Sequence, residues 1–139
     1  LIEATGEPLR GKRVVVVGAG NVVGKPLAVL LMRAEATVTS CNEFTQDLEG
    51  LCRSADIVVA AAGVPGLIRA DMIRAGAAVI DVGVNRVLDA GGGRRTCGDV
   101  DFESVRETAG WLSPVPGGVG PMTVATLLSN AVEAASKRP

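Results

Sequence analysis

The sequence contains no histidine and no tyrosine, and aromatic residues make up 2% of it. Without histidine, the commonest metal ligand is missing. Cys41, Cys52 and Cys97 are an odd set with no C-x-x-C pair. No zinc site and no disulfide framework is expected, and the three read as buried or half-buried free thiols of a reducing compartment. Excess charge of one sign is lacking too: 14 basic against 15 acidic residues leave a net charge of −1. That gives no field to gather nucleic acid or an anionic membrane. No apolar run reaches the roughly 18–20 residues that cross a bilayer, and no signal-peptide pattern opens the chain. Neither nucleic acid nor a membrane is expected as a partner.

What is abundant is small and aliphatic. Apolar residues form 47% of the 139, and 18 are glycine. A core poor in rings is filled by Val, Ile, Leu and Ala, which suits a parallel sheet covered on both faces, and the length suits one domain. The opening Leu1-Ile2-Glu3-Ala4-Thr5, without an initiator Met, reads as the tail of a helix. A fragment or processed domain is expected.

From Lys12 onward strand and helix patterns alternate. Strands are predicted over 14–17, 37–41, 57–62 and 78–84, with two more at 97–100 and 111–115. Helices are predicted over 22–33, 48–52, 71–75, 102–107 and 122–137, the last long and amphipathic. Residues 88–95 contain three consecutive glycines and read as a flexible loop. Strands spaced by helices form βαβ units with right-handed crossovers. The expected class is α/β: a Rossmann-like, doubly wound, mostly parallel sheet with helices on both faces. Such sheets bind ligands at the carboxyl ends of their strands, where the strand order reverses.

The first strand end reads Gly18-Ala19-Gly20-Asn21-Val22-Val23-Gly24. Gly18 and Gly20 can turn without a Cβ clash, and N–H groups at a helix start, helped by its dipole, favour a pyrophosphate. Gly24 would let helix and sheet approach, though it falls one residue later than in G-x-G-x-x-G. The competing reading is a purely structural turn. At the second end, Glu43 lies about 20 residues on, where a carboxylate accepts from the adenosine ribose; it could equally be a solvated loop acid. The third end, with Gly63, and the fourth, with Val84, would lie beside the nicotinamide half, or simply pack the sheet. Asp81, inside a strand, reads as a satisfied structural acid rather than a catalyst.

The last motif runs from Pro114 to Thr123. Prolines fix φ on the way in, Gly117 and Gly118 permit a sharp reversal, and Pro121 suits the first turn of a helix. A positive φ is expected at Gly118. So many constrained and permissive positions point to a loop facing a site rather than a linker.

The strings VGKP, ADIVVAAAGVPG, AVIDVGVNR, GDVDF and PVPGGVGPMTVATLL, in this order, resemble the methylenetetrahydrofolate dehydrogenase/cyclohydrolase family along nearly the whole chain. The resemblance implies the carboxyl-terminal, cofactor-binding domain. It also implies hydride transfer from methylenetetrahydrofolate to a nicotinamide cofactor, commonly followed by hydrolysis of the methenyl product. Further implications are a cytoplasmic homodimer in one-carbon metabolism and purine biosynthesis, with the folate held between this domain and an amino-terminal one. In such enzymes a Tyr–Lys pair of the amino-terminal domain supports the chemistry; here Tyr is absent, and none of Lys12, Lys25 and Lys137 corresponds to the lysine of that pair. No catalytic residue is therefore assigned, and the fragment alone is expected to be inactive. By resemblance, Pro116, Gly117 and Gly118 border the folate, and Val84 and Thr123 the cofactor.

Two departures bear on the cofactor. Family members usually read Gly-Arg-Ser where this chain has Gly18-Ala19-Gly20, and Cys-His-Ser where it has Cys41-Asn42-Glu43. The Arg and the Ser would hold the second phosphate of NADP. With Ala19 and Glu43 in their place, NAD is expected over NADP, unless Arg10, Arg13 or another base reaches that phosphate. The alternative function is a non-catalytic scaffold domain, for example one fused to a formyltetrahydrofolate synthetase.

Overall fold

Val14 to Val17 lie at the centre of the molecule, each at most 3% exposed. They belong to β1 (Arg13–Val17), whose β-branched side chains suit a pleat packed on both faces. Val14 and Val16 point into one layer with Leu27 and Leu31 of α1 (Gly24–Arg33). Val15 and Val17 point into the other, against Leu48 and Cys52 of α2 (Leu48–Ser54), Met72, Ile73 and Val105. Alternation along one strand thus builds two cores, and full burial of a valine contributes on the order of 1.5–3 kcal/mol.

The computed structural model describes residues 1–6, 8–88 and 91–137. β2 (Thr37–Cys41) and β3 (Ile57–Ala60) flank β1, with Val14 paired to both Val38 and Ile57. β4 (Ala78–Asp81) continues beyond β3, and the two-residue β7 (Trp111–Leu112) forms the edge. The order is β2-β1-β3-β4-β7, all parallel, reversing between β1 and β3. The doubly wound prediction holds, and the reversal falls between β1 and β3, the place where sheets of this kind hold ligands.

Several predicted elements differ. The fourth strand stops at Asp81 because that carboxylate accepts the Gly83 N–H at 3.0 Å and closes a turn. Residues 88–95 are not all loop: β5 (Asn85–Leu88) pairs antiparallel with β6 (Arg94–Cys97). Asp89 and Ala90, within the predicted loop, lie outside the described residues. The strand predicted over 97–100 is displaced into β6, leaving Val100 a lone bridge to Ile68. Helices predicted at 71–75 and 102–107 shrink to a single turn, Ala70–Met72, and to α3 (Phe102–Val105). The opening segment forms one turn, Glu3–Thr5.

α4 (Val119–Ser136) begins three residues before its predicted start and buries none of its residues. Val119 packs on the α1-side core, but Val124, Leu127, Leu128 and Val132 are 59–69% exposed. No helix among the described residues is long and apolar enough to cross a membrane.

The amino ends of the strands are held by Asp56. Its carboxylate accepts the Arg13 N–H at 2.8 Å and the Arg74 guanidinium at 2.7 Å. The Arg13 N–H, assisted by the Arg74 and Arg13 charges, holds the carboxyl below its ordinary 3.8 despite partial burial. A depressed carboxyl stabilises the fold above its unfolded pKa, and that contribution is lost as pH falls through the folded value. Asp56→Asn should therefore cost about 1–2 kcal/mol at pH 7. The gap between variant and parent in urea unfolding should close as pH falls below 3.8. A gap that persists undiminished in acid would assign the loss to something other than the charge.

Candidate functional site

Gly18 leaves β1 at φ +108°, with its N–H donating to the Cys41 carbonyl at 2.9 Å. A Cβ on Gly18 would lie 2.2 Å from the Ala61 carbonyl oxygen, and one on Gly24 1.8 Å from the Gly18 carbonyl oxygen. These two glycines let the ends of β1 and β3 and the start of α1 meet at backbone distance. Gly20 has open space where its Cβ would be. The helix begins at Gly24 rather than at the predicted Val22, so Ala19 to Val23 form the turn. That accounts for the late third glycine.

The amino end of α1 has neither a side-chain cap nor an acidic residue in its first turn. Lys25 donates its N–H to the Gly20 carbonyl at 3.0 Å and its Nζ to Asn21 Oδ1 at 2.7 Å, while Val22 is 91% exposed. An uncapped positive helix end beside an open Gly20 fits a pyrophosphate.

At the second strand end, Asn42 N–H donates to Thr45 Oγ1 at 2.8 Å, and Phe44 N–H to Asn42 Oδ1 at 2.9 Å. This turn exposes Glu43 and Phe44. Arg10 instead pairs with Glu35 at 2.9 Å and Arg13 with Asp56 at 3.8 Å. Arg13 opens β1 opposite Thr37, and Val17 closes it opposite Cys41. Both ion pairs therefore lie at the far end of the strands, roughly 13 Å away at 3.3 Å per residue.

Between the third and fourth ends lie two buried carboxylates. Asp81 accepts N–H groups from Gly83, Asp99 and Val100, each at 3.0 Å, and donates its own N–H to Ser113 Oγ at 2.7 Å. Burial pushes its carboxyl up against those three donors, and the Asp99 charge pushes the same way. It is a satisfied structural acid. Asp99, fully buried, accepts from the Ala62 and Gly63 N–H groups at 2.6 and 2.8 Å and from Asn85 Nδ2 at 2.8 Å. Gly98 and Gly83 make room: a Cβ there would lie 1.8 Å from an Asp81 oxygen and 2.1 Å from an Asp99 oxygen.

The closing loop turns at Gly117, φ +102°. Gly118 does not have the expected positive φ; it sits at −93°, and its need is space, since a Cβ would lie 2.4 Å from the Pro114 carbonyl oxygen. Pro121 is the third residue of α4, where the helix has N–H groups without partners anyway. Thr123 Oγ1 donates to the Val119 carbonyl at 3.1 Å.

Five predicted residues, Val84, Pro116, Gly117, Gly118 and Thr123, line one cavity of about 510 Å³. Gly18 to Gly24, Glu43 and Gly63 are not among its lining residues; they surround the first three strand ends. A second cavity of about 620 Å³, walled by β5, β6 and Phe102, contains no predicted residue. The thiols belong to the packing: burial raises Cys41, and burial with the nearby Cys41 raises Cys52 to about 12, leaving both inert as nucleophiles. Asp99 is the residue that sequence reasoning missed. Its signal was the pairing of two strand-end acids, Asp81 and Asp99, each with a glycine two residues after or one before it.

The chain is 57% identical over 137 residues to the bifunctional protein FolD of Bordetella petrii, covering 99% of itself and 45% of that protein. It is 56% identical to that of Moorella thermoacetica, covering 99% and 48%. Among solved structures, the bifunctional FolD dehydrogenase/cyclohydrolase of Campylobacter jejuni superposes with a TM-score of 0.92 at 46% identity, over 99% of this chain and 48% of that one. The Trypanosoma brucei enzyme, complexed with NADP and an inhibitor, superposes with a TM-score of 0.90 at 44% identity, with the same coverage. The chain thus spans less than half the length of these relatives. The model of the tetrahydrofolate dehydrogenase/cyclohydrolase NAD(P)-binding domain matches residues 1–139, and the chain belongs to that family.

Proposed function

We propose that this chain is the dinucleotide-binding half of a methylenetetrahydrofolate dehydrogenase/cyclohydrolase. The observation that carries the reading is the uncapped start of α1 beside Gly18, Gly20 and Gly24, at the point where the strand order reverses. Gly18, Ala19, Gly20, Asn21, Val22 and Gly24 would surround the pyrophosphate and Glu43 the adenosine ribose. Gly63, Val84 and Thr123 would flank the nicotinamide half. Pro116, Gly117 and Gly118 would form the folate wall of the shared cavity. When bound, the nicotinamide supplies a hydride acceptor. The chain's own residues bind and orient it, and line one apolar side of the cleft.

Proton-handling groups belong, in this reading, to an amino-terminal domain. The sequence has no Tyr, and Lys25 is engaged by Asn21. The exposed apolar residues of α4 supply a surface for such a domain or for a second subunit. The scaffold alternative draws no support from relatives named as bifunctional. The chain alone should bind a nicotinamide dinucleotide yet oxidise no methylenetetrahydrofolate, because positioning and proton transfer supply many orders of magnitude of rate. Turnover by the purified chain well above background would refute the assignment of catalytic groups to the other domain.

The glycines separate ligand from packing roles. Gly20→Ala should leave the melting temperature within about 2 °C while lowering dinucleotide affinity roughly tenfold, since its Cβ meets only what binds there. Gly24→Ala should lower both, because it must push α1 off the Gly18 carbonyl at a cost of about 1–3 kcal/mol. Calorimetric melting and titration of both variants check this; a Gly20→Ala protein with parental affinity would place the pyrophosphate elsewhere.

We further propose NAD over NADP. Ala19 offers no charge-assisted bond to a 2′-phosphate, Phe44 adds no donor, and Glu43 would meet that phosphate with like charge. Arg10 and Arg13 are held at the opposite strand ends. NAD should bind at least about tenfold more tightly than NADP at low salt, with the gap narrowing as salt screens the exposed charge. Ala19→Arg with Glu43→Ser should narrow or reverse it. Equal affinities in the parent, or no gain of NADP affinity in the double variant, would count against Glu43 as the selector.

A further inference from the structure

We infer that Asp99 is a positioning residue that fixes the gap between the third and fourth strand ends, and with it the seat of the nicotinamide half. The inference rests on the dinucleotide reading above. One carboxylate joins two segments that the sheet does not otherwise join. Its Oδ2 accepts the Ala62 and Gly63 N–H groups just beyond β3, and its Oδ1 accepts Asn85 Nδ2 just beyond the turn that ends β4.

Asp99 is itself held from behind. Its N–H and that of Val100 donate to the two oxygens of Asp81, and its carbonyl accepts the Ile68 N–H at 3.0 Å. The tie is therefore built in series from the β4 strand through Asp81 to Asp99 and on to the two exits. Among the described residues, the hydrogen bonds to these two carboxylates come from backbone N–H groups and one side-chain amide. A buried carboxylate without a cation is expensive, and here backbone N–H groups and one amide offset its desolvation.

The groups so held face outward. Ala62, Gly63, Val64 and Pro65 are exposed, and Val84, between Gly83 and Asn85, is 69% exposed on the cavity that Thr123 and Gly118 also line. Asp99 is beneath this surface and touches no ligand position itself. Loss of the tie should let the two exits drift apart beyond Ala61, while the Gly18–Gly24 turn keeps the backbone bonds of Gly18 to Cys41, Ala61 to Val17 and Lys25 to Gly20 and stays in place.

The test uses the full-length protein and two probes, the dinucleotide it binds more tightly and the matching ADP-ribose, which lacks only the nicotinamide. Asp99→Ala should weaken the dinucleotide roughly tenfold or more while ADP-ribose affinity moves by no more than about twofold. Asp99→Asn should recover most of the loss, because its oxygen can still accept from Ala62 and Gly63 and its amide can donate to a reoriented Asn85. Asn85→Ala, which removes one arm of the tie, should show the same selective loss in smaller measure. Should Asp99→Ala fail to fold, the Asn85→Ala and Asp99→Asn titrations decide. Parental dinucleotide affinity in both Asp99→Ala and Asn85→Ala, or equal losses of dinucleotide and ADP-ribose, would overturn the inference. Equal losses would mark Asp99 as purely structural. A parent protein that binds neither probe would overturn the dinucleotide reading itself and this inference with it.

Discussion

The architecture depends on one close approach: the Gly24 backbone lying against the Gly18 carbonyl, at a distance no Cβ could occupy. Because of it, α1 starts against the strand ends instead of above them. Its first N–H groups then open toward the place where β1 and β3 diverge. The Gly18 contact with Ala61 closes the same junction from the β3 side. Remove either glycine's freedom and the helix lifts, the turn widens, and the dipole points at solvent rather than at a bound anion.

The layered α/β architecture was legible because valine-rich strands and the spacing between them leave few alternatives. The positions of β1 and β2 follow from runs of β-branched residues bounded by turn residues. What was not legible is where side chains compete with the backbone. The fourth strand ends early because Asp81 takes the Gly83 N–H, a bond that no propensity scale registers. The hairpin of β5 and β6 was masked by glycines, whose permissiveness is the same in a loop as in a tight connection. Of the candidate site, the glycine turn after β1 and the loop at Gly117 and Gly118 could be placed from glycine and proline positions. The partners of Asp99 could not, because they come from two segments distant in sequence, 62–63 and 85.

The sheet's two ends are held by opposite electrostatics. At the amino ends Asp56 is partly exposed and is favoured as an anion by the Arg13 N–H and by Arg74. At the carboxyl ends Asp81 is buried and disfavoured as an anion. Acid therefore loosens the first clamp and relieves the second. The carboxyl end is the one built at the expense of ionic solvation, a common arrangement where outward-facing groups must be held rigidly.

α4 is also a lever. Eighteen residues make a rod of about 27 Å at 1.5 Å per residue. Its root, from Val119 to Thr123, forms part of the cavity wall, and its far turns bury no residue in this domain. Tilting such a rod by ten degrees about its root would move the tip by about 5 Å but Thr123 by only about 1 Å. Large displacements at the tip are thus geared down to small ones at the cavity. Whatever grips the distal turns sets the reach of Thr123 into the cleft.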